Sequence, residues 1–135
     1  MSVALEHISP NGLFSTRGLG FTHVVTSAPG KTVYVSGQTA WDADRKIVGG
    51  DDLGAQAEQA LRNLRTALEA AGATPRDVTF FRVYVVGYEP AHAAILSPLF
   101  EKFFAGGPPP GSTWVGVVAL AVPGFRIEIE AIAVV

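Results

Sequence analysis

Residues 53–71, LGAQAEQALRNLRTALEAA, carry the clearest helical pattern of this chain, and the rest of the fold can be arranged around them. Apolar side chains recur there at the three- and four-residue spacing of one helical face. The residues that share this face are Leu53, Ala57, Ala60, Leu61, Leu64, Leu68 and Ala71. Asp51 or Asp52 can cap the start of the helix, and Gly72 suits the left-handed residue that ends one. The stretch therefore predicts an amphipathic helix with one buried side.

Three strand-like segments precede this helix. Val3–His7 is typical of an edge strand, and Thr22–Ser27 and Thr32–Ser36 flank a Pro-Gly turn at residues 28–31. The pattern predicts a hairpin of the second and third strands.

The second half of the chain predicts a strand, a helix and two further strands. Val78–Val86 is rich in β-branched and aromatic residues, and a helix is expected over residues 90–104. Pro98 lies inside that helix, where it removes one backbone hydrogen bond and should kink or split it. The last two strands are expected at Thr113–Leu120 and Phe125–Val135. This order of elements indicates a single α+β domain over residues 1–135.

The composition of the chain excludes several kinds of functional site and partner. The chain has 135 residues, a net charge of −2 and no cysteine, which excludes disulfides, thiolate catalysis and thiolate metal sites. A weakly acidic chain has no strong attraction for a phosphate backbone, so nucleic acid is not an expected partner. His7, His23 and His92 are widely spaced, so neither a metal nor a cofactor is expected. No apolar run approaches the roughly 20 residues of a membrane span, and no leader pattern opens the chain, so a soluble cytoplasmic protein is expected.

Two segments are apolar at consecutive positions, Val83–Val86 and Val117–Val122. Strands that are apolar on both sides need cover on both faces of their sheet, but two helices cover only one. Other copies of the chain are the simplest cover for the second face. The alternative is an imperfect alternation that leaves some valine exposed.

Several segments of the chain resemble the Rid/YjgF family in order and spacing. The last of them is the most specific, and together they span nearly the whole chain. They are Val33–Gln38 (VYVSGQ), Gln56 with Ala60–Leu64 (ALRNL), Ala70–Ala73 (AAGA), and Pro123-Gly124 followed by Ile127–Val134 (IEIEAIAV).

The resemblance implies a fold like that of trimeric chorismate mutase. A mixed six-stranded sheet would carry two helices on one face, three sheets would form a central barrel, and ligand clefts would lie between neighbouring subunits. The best-known activity of the family is hydrolysis of reactive enamines and imines derived from amino acids, which yields a 2-oxo acid and ammonia. The family motifs then imply that Ser36 and Gly37 hold the ligand and that Glu128 positions or activates water.

The chain departs from the family pattern at four ligand-binding positions. Phe21 stands where the family has a tyrosine, Ser112 where it has a carboxylate-binding arginine, and Ser97 where it has an asparagine. Trp114 replaces a small residue or cysteine, and Thr113 lies between it and Ser112. These exchanges predict a more apolar and aromatic pocket than in the deaminases.

The loss of the arginine bears directly on the chemistry. A guanidinium binds a carboxylate through two charge-assisted hydrogen bonds, whereas serine offers one neutral hydroxyl. Weak or absent hydrolysis of 2-imino acids is therefore expected. Arg17, in the N-terminal loop, either supplies the missing cation from another direction or is a solvated loop residue.

Each candidate residue also has an ordinary structural explanation. Glu128 and its neighbour Glu130 can form a solvated or ion-paired strand face, and Ser36 can be a residue of a strand-end turn. Phe21 and Trp114 can be packing residues. Two functions therefore remain open: a hydrolase acting in an intersubunit cleft, and a non-catalytic ligand-binding or regulatory trimer. A ribonuclease is the least expected, because no basic stripe is present.

The first testable prediction concerns assembly. We expect light scattering of the purified protein to give about three times the mass of one chain, because other copies are needed to cover the second sheet face. A monomer at micromolar concentration would contradict the prediction.

Overall fold

The computed structural model describes residues 3–105 and 107–135. The described part contains six strands and two α-helices, and a single 3-10 turn, Pro75–Asp77, follows the first helix. In chain order the elements are β1 (Leu5–Ile8), β2 (Val24–Ser27), β3 (Thr32–Gln38), α1 (Leu53–Ala70), β4 (Val78–Val86), α2 (His92–Phe103), β5 (Gly111–Val117) and β6 (Ile127–Val134).

Four strands form the main sheet in the order β3-β6-β4-β5. β4 and β5 are parallel, whereas β6 is antiparallel to both of its neighbours, β3 and β4. α1 and α2 cover one face of this mixed sheet, so the predicted α+β class with two helices on one face is confirmed.

The six strands are divided between two sheets instead of forming the single sheet that was expected. β1 and β2 make a separate antiparallel ribbon, called here the N-terminal ribbon. The predicted hairpin of β2 and β3 is wrong, because the two ends of its turn bind different partners. The Ala28 amide donates to the Ala4 carbonyl in the ribbon, whereas Lys31 and Val135 exchange backbone hydrogen bonds of 2.7 and 2.9 Å at the end of the main sheet.

α1 follows its predicted pattern closely. Asp52 caps the helix by accepting a hydrogen bond of 2.8 Å from the Ala55 amide, and Gly72 ends it with a φ of +78°. Leu64 and Leu68 are completely buried against the sheet. The other apolar residues of that face are also buried, except Ala71, which is half-buried at the end of the helix. The core thus lies between α1, α2 and the inward side chains of the main sheet.

Gln56 is the polar exception in this core. It is fully buried, and its Nε2 donates to the carbonyls of Gly50 and Gly124 at 2.7 and 2.9 Å. Its Oε1 accepts from the Arg126 amide at 2.8 Å. One side chain therefore joins the start of α1 to the loop that precedes β6.

The second half of the chain differs from the prediction at the end of β5 and in the continuity of α2. β5 ends at Val117, and residues 118–122 form a loop in which Val118 is 98% exposed. The reason is that the neighbouring strand β4 turns away at Gly87, with a φ of +61°, so that the pairing of β4 with β5 ends at Val86 and Val117. α2 is one continuous helix through Pro98, so the predicted possibility of a split at this residue does not occur.

The second prediction tests the buried glutamine. Gln56→Leu keeps a similar volume but leaves the amide of Arg126 and two carbonyls without a partner. We expect the free energy of unfolding in urea to fall by about 2–4 kcal/mol. The exposed Glu58→Ala on the same helix is the control and should change it by less than about 0.5 kcal/mol. Equal effects of the two substitutions would contradict this role for Gln56.

Candidate functional site

A small pocket lies where β5, α2 and the N-terminal loop meet. Its volume is about 280 Å³. Four of the predicted ligand-binding residues come together there with two apolar neighbours, and the lining is Leu19, Phe21, Ala93, Ser97, Ser112 and Trp114.

Register in the sheet places Ser112 and Trp114 in this pocket. They pair with Phe81 and Val83 of β4, whose side chains lie in the core, so both residues are on the helix-covered face. The Trp114 ring packs edge-on against Phe100 of α2 with a centroid distance of 5.3 Å. The back of the pocket is therefore anchored to the core.

The N-terminal loop brings Phe21 to the same place. Gly20 has a φ of +86°, and a side-chain carbon there would lie 3.5 Å from Cβ of Phe100. Next to Phe21, the Thr22 amide donates to the Pro110 carbonyl at 2.7 Å. A glycine with a left-handed backbone conformation and one backbone hydrogen bond therefore hold the loop against α2 and β5.

Arg17 lies outside this pocket. It is exposed and lines a neighbouring groove of about 600 Å³, whose wall shares Phe21 with the pocket. Phe21 also packs against Phe14 and His23, with centroid distances of 6.3 and 5.8 Å. Arg17 thus lines the neighbouring groove and not the pocket.

Gly37 and Glu128 form a second group, on β3 and β6. A side-chain carbon at Gly37 would overlap the Glu128 carboxylate and lie 2.6 Å from its Cδ. β3 has an irregularity between Val35 and Gln38, which opens this contact. Ser36, beside Gly37, is exposed, and its carbonyl accepts a hydrogen bond of 3.1 Å from the side chain of Gln38. Any larger residue in place of Gly37 would therefore displace the Glu128 carboxylate from where it now lies.

The face of the main sheet that the helices leave uncovered, called here the open face, carries an ionic network. Tyr84 of β4 donates a hydrogen bond of 2.6 Å to Glu130, and Arg82 forms an ion pair with the same carboxylate at 3.2 Å. Glu128 pairs in register with Tyr84 and lies on this face as well. Sequence reasoning missed Arg82 and Tyr84, because alternation along β4 groups them but only the register places them opposite Glu130.

The hydrogen bond to Glu130 raises the pKa of Tyr84, and desolvation and the charge of that carboxylate act in the same direction. The phenol therefore keeps its proton to a higher pH than a free tyrosine. On β1, partial burial lowers the pKa of His7, which favours its neutral form.

The two groups of residues lie on opposite faces of the main sheet. Ser112 and Trp114 face the helices, whereas Glu128 lies on the open face, and β4 separates their strands. Thr113 pairs with Arg82 and is therefore on the open face, apart from Ser112. A ligand in the pocket of one copy consequently cannot reach Glu128 of that same copy.

Two kinds of feature are absent from residues 3–105 and 107–135. None of the helices described is both long and apolar enough to cross a membrane. Among the same residues, no three His, Asp or Glu side chains are grouped so that they could hold a metal ion.

Comparison with known proteins identifies the family that shares this architecture. The profile of the family described as Endoribonuclease L-PSP matches residues 18–135. A crystal structure from Yersinia pestis, YyfB, described as a protein of unknown function of the Rid family, is 41% identical with a TM-score of 0.94. The match covers 97% of this chain and 98% of YyfB.

Two further structures carry the same family names. RidA from an Antarctic Psychrobacter is 33% identical with a TM-score of 0.69, and the match covers 82% of this chain and 88% of RidA. Rv2704 from Mycobacterium tuberculosis, described as a member of the YjgF/YER057c/UK114 family, is 32% identical with a TM-score of 0.64, over 98% and 100% of the two chains. This chain belongs to the Rid/YjgF family, as the sequence motifs predicted.

The third prediction follows from the ionic network. A Tyr34→Phe/Tyr88→Phe variant leaves Tyr84 as the single tyrosine, and its absorbance near 295 nm should titrate above the ordinary pKa of about 10. Adding Glu130→Ala should lower that pKa, since the main cause of the shift is removed.

The direction in which pH changes the stability follows from the linkage between protonation of Tyr84 and folding. Because the pKa of Tyr84 is raised in the folded protein, the contribution of its protonated phenol to the stability of the fold is complete below about pH 10. This contribution is lost as the pH rises through the pKa of Tyr84 in the folded protein. A titration unchanged by Glu130→Ala would contradict the network.

Proposed function

We propose that this protein is a homotrimer that binds a small metabolite between subunits and hydrolyses a reactive enamine or imine there. The observation that carries the proposal is the division of the predicted site over two faces of one sheet. Ser112 and Trp114 lie on one face and Glu128 on the other, so a complete site needs a second copy.

The two outer strands of the main sheet favour such an assembly. β3 carries Ser36 and Gly37 and is one edge of the sheet, while β5 carries Ser112 and Trp114 and is the other. An edge strand has unpaired backbone groups and is a natural surface for association. A contact between β3 of one copy and β5 of the next is heterologous, and such contacts close into a ring when the rotation permits it.

Exposed apolar side chains on the open face support the same assembly. Tyr34 lies on β3, next to the core residue Val33 and hence on the opposite side of the strand, and is 78% exposed. Val115 of β5, in register with Tyr84, is also exposed on the open face. Burial of these side chains between copies would add apolar contact at about 25 cal/mol per Å² removed from water.

The proposed chemistry uses the groups on β3 and β6. Glu128 takes a proton from water while the water oxygen bonds to the imine carbon, and it then returns that proton to the nitrogen. The C–N bond breaks as the new hydroxyl loses its proton, which leaves a carbonyl and releases ammonia or an amine. An enamine enters this sequence after it has tautomerised to the imine. The Ser36 hydroxyl donates a hydrogen bond to the ligand, and Gly37 leaves free the space that the Glu128 carboxylate occupies.

The pocket argues against 2-imino acids as good substrates. Its lining contains the hydroxyls of Ser97 and Ser112 but no charged side chain, and Arg17 lies in the neighbouring groove. A ligand carboxylate would lose water there without gaining an opposite charge.

The second candidate is a binding or regulatory trimer without catalysis. The same apolar lining favours it, because Trp114 and Phe21 supply contact area and no reactive group. The two candidates differ in a single measurable respect, namely whether a bound ligand is turned over in a reaction that depends on Glu128.

The fourth prediction tests the activity with freshly generated 2-aminoacrylate. Its loss should be at least about 100-fold slower than with an arginine-bearing relative, because the charge pair for the carboxylate is absent. Any remaining hydrolysis should fall by a further factor of about 10²–10⁴ in Glu128→Gln. The exposed Glu58→Gln is the matched control and should leave the rate unchanged.

Two results would decide against parts of this proposal. A rate equal to that of the arginine-bearing relative would show that Ser112 does not limit the reaction. Hydrolysis that is identical in Glu128→Gln and in the wild type would remove Glu128 from the chemistry and favour the non-catalytic trimer.

A further inference from the structure

A groove lies between α1 and α2, and it is called here the interhelix groove. Its volume is about 270 Å³, and its lining is Glu58, Leu61, Arg62, Arg65, Leu99, Lys102 and Phe103. Leu61 and Phe103 are buried and Leu99 is half-buried, whereas the charged residues of the lining are exposed. The interhelix groove therefore has an apolar floor and charged rims.

This groove is separate from the pocket beside β5. Leu99 follows Ser97 of that pocket by two residues, which places the two side chains about 200° apart around α2. The groove is formed by the helices, which cover the face of the main sheet opposite the open face. Copies that associate through the open face therefore leave it accessible.

Cations outnumber carboxylates around the interhelix groove. Arg62, Arg65 and Lys102 line it, and Glu58 is the single acidic residue among the described residues of its lining. The chain as a whole has a net charge of −2, so this local excess is opposite in sign to the protein. The two ion pairs found among residues 3–105 and 107–135 involve other residues, so these three cations are available to an outside carboxylate.

The two arginines are positioned beside the apolar floor. The Cζ atom of Arg65 lies 5.1 Å from the centroid of the Phe103 ring, which is a cation–π contact. Arg62, three residues earlier and on the same side of α1, donates through Nε to Gln59 at 3.4 Å. A guanidinium can bind a carboxylate through two parallel hydrogen bonds. The rims therefore favour a partner that carries several carboxylates.

The size of the groove indicates an anchoring side chain rather than a whole metabolite. Pockets for drug-sized ligands span about 300–1,000 Å³, and this groove of about 270 Å³ is smaller. An amphipathic helix places apolar anchors in such a groove and keeps its polar side chains at the rims. Charge complementarity then requires acidic residues beside those anchors.

We propose that the interhelix groove docks an acidic amphipathic helix of a partner protein. An apolar side chain of that helix packs on Leu99 and Phe103, and its carboxylates bind Arg62, Arg65 and Lys102 at the rims. This interaction surface does not depend on the hydrolase proposal, because it uses none of the residues assigned to the reaction.

The test titrates the full-length protein with three fluorescent helical peptides of equal length and follows their anisotropy. The first has leucine on one face and glutamate on the other, the second has lysine in place of glutamate, and the third has serine in place of leucine. We expect the first peptide to bind about tenfold or more tightly than either of the others. Because the chain is acidic overall, non-specific attraction would instead favour the lysine peptide.

Charge reversals assign the binding to this groove. Arg62→Glu/Arg65→Glu should weaken binding of the glutamate–leucine peptide by about tenfold or more, and Lys102→Glu, on the other helix, by about threefold or more. Lys31→Glu/Lys46→Glu is the matched control for the double variant, since it changes the net charge equally at exposed lysines that do not line the groove. It should weaken binding by less than about threefold.

Three results would overturn the proposal. They are equal or tighter binding of the lysine or serine peptide, no binding of the glutamate–leucine peptide at about 1 mM, and equal losses in the arginine variant and its lysine control. Binding of phosphatidylglycerol vesicles without binding of that peptide would identify a membrane-surface site and would also overturn it. If the arginine variant does not fold, the order of the three peptides and the effect of Lys102→Glu still decide.

Discussion

The alternation of side chains along β6 is the constraint on which the rest of this structure depends. Ile127 and Ile129 are completely buried under α1 and α2, so Glu128 and Glu130 must lie on the open face. A shift of one residue in register would bury both carboxylates and expose both isoleucines, which the burial of apolar surface strongly opposes. The core of the protein thereby sets the position of the candidate catalytic group.

The same strand joins the two parts of the main sheet. β6 lies between β3 and β4, so Gly37 on one side and Tyr84 on the other both lie next to its carboxylates. Glycine gives Glu128 the space that a side chain would occupy, while Tyr84 and Arg82 hold Glu130. Two neighbouring glutamates thus have different surroundings: one is held in an ionic network, and the other is packed against backbone.

Alternation along β5 has the opposite consequence for the pocket. It directs Ser112 and Trp114 toward the helices and Thr113 toward the open face, so neighbouring residues of one motif lie on different sides of the sheet. If Ser112 and Trp114 hold the ligand and Glu128 acts on water, as proposed above, only a neighbouring copy can bring these groups together. Catalysis of the proposed kind would therefore depend on assembly as well as on residue identity.

Local chemistry in the sequence was sufficient to determine α1, its cap at Asp52 and its end at Gly72, because these depend on residues near one another in the chain. The family and the α+β class could likewise be predicted from the order of the motifs along the chain. The structure brings Phe21, Ser97, Ser112 and Trp114 together in one pocket, and their role as ligand-binding residues stays a prediction. The pairing of strands that are distant in the chain could not be predicted from the sequence. The separation of the N-terminal ribbon and the partners of Glu130 depend on which strands meet and in what register, so only the tertiary structure decided them.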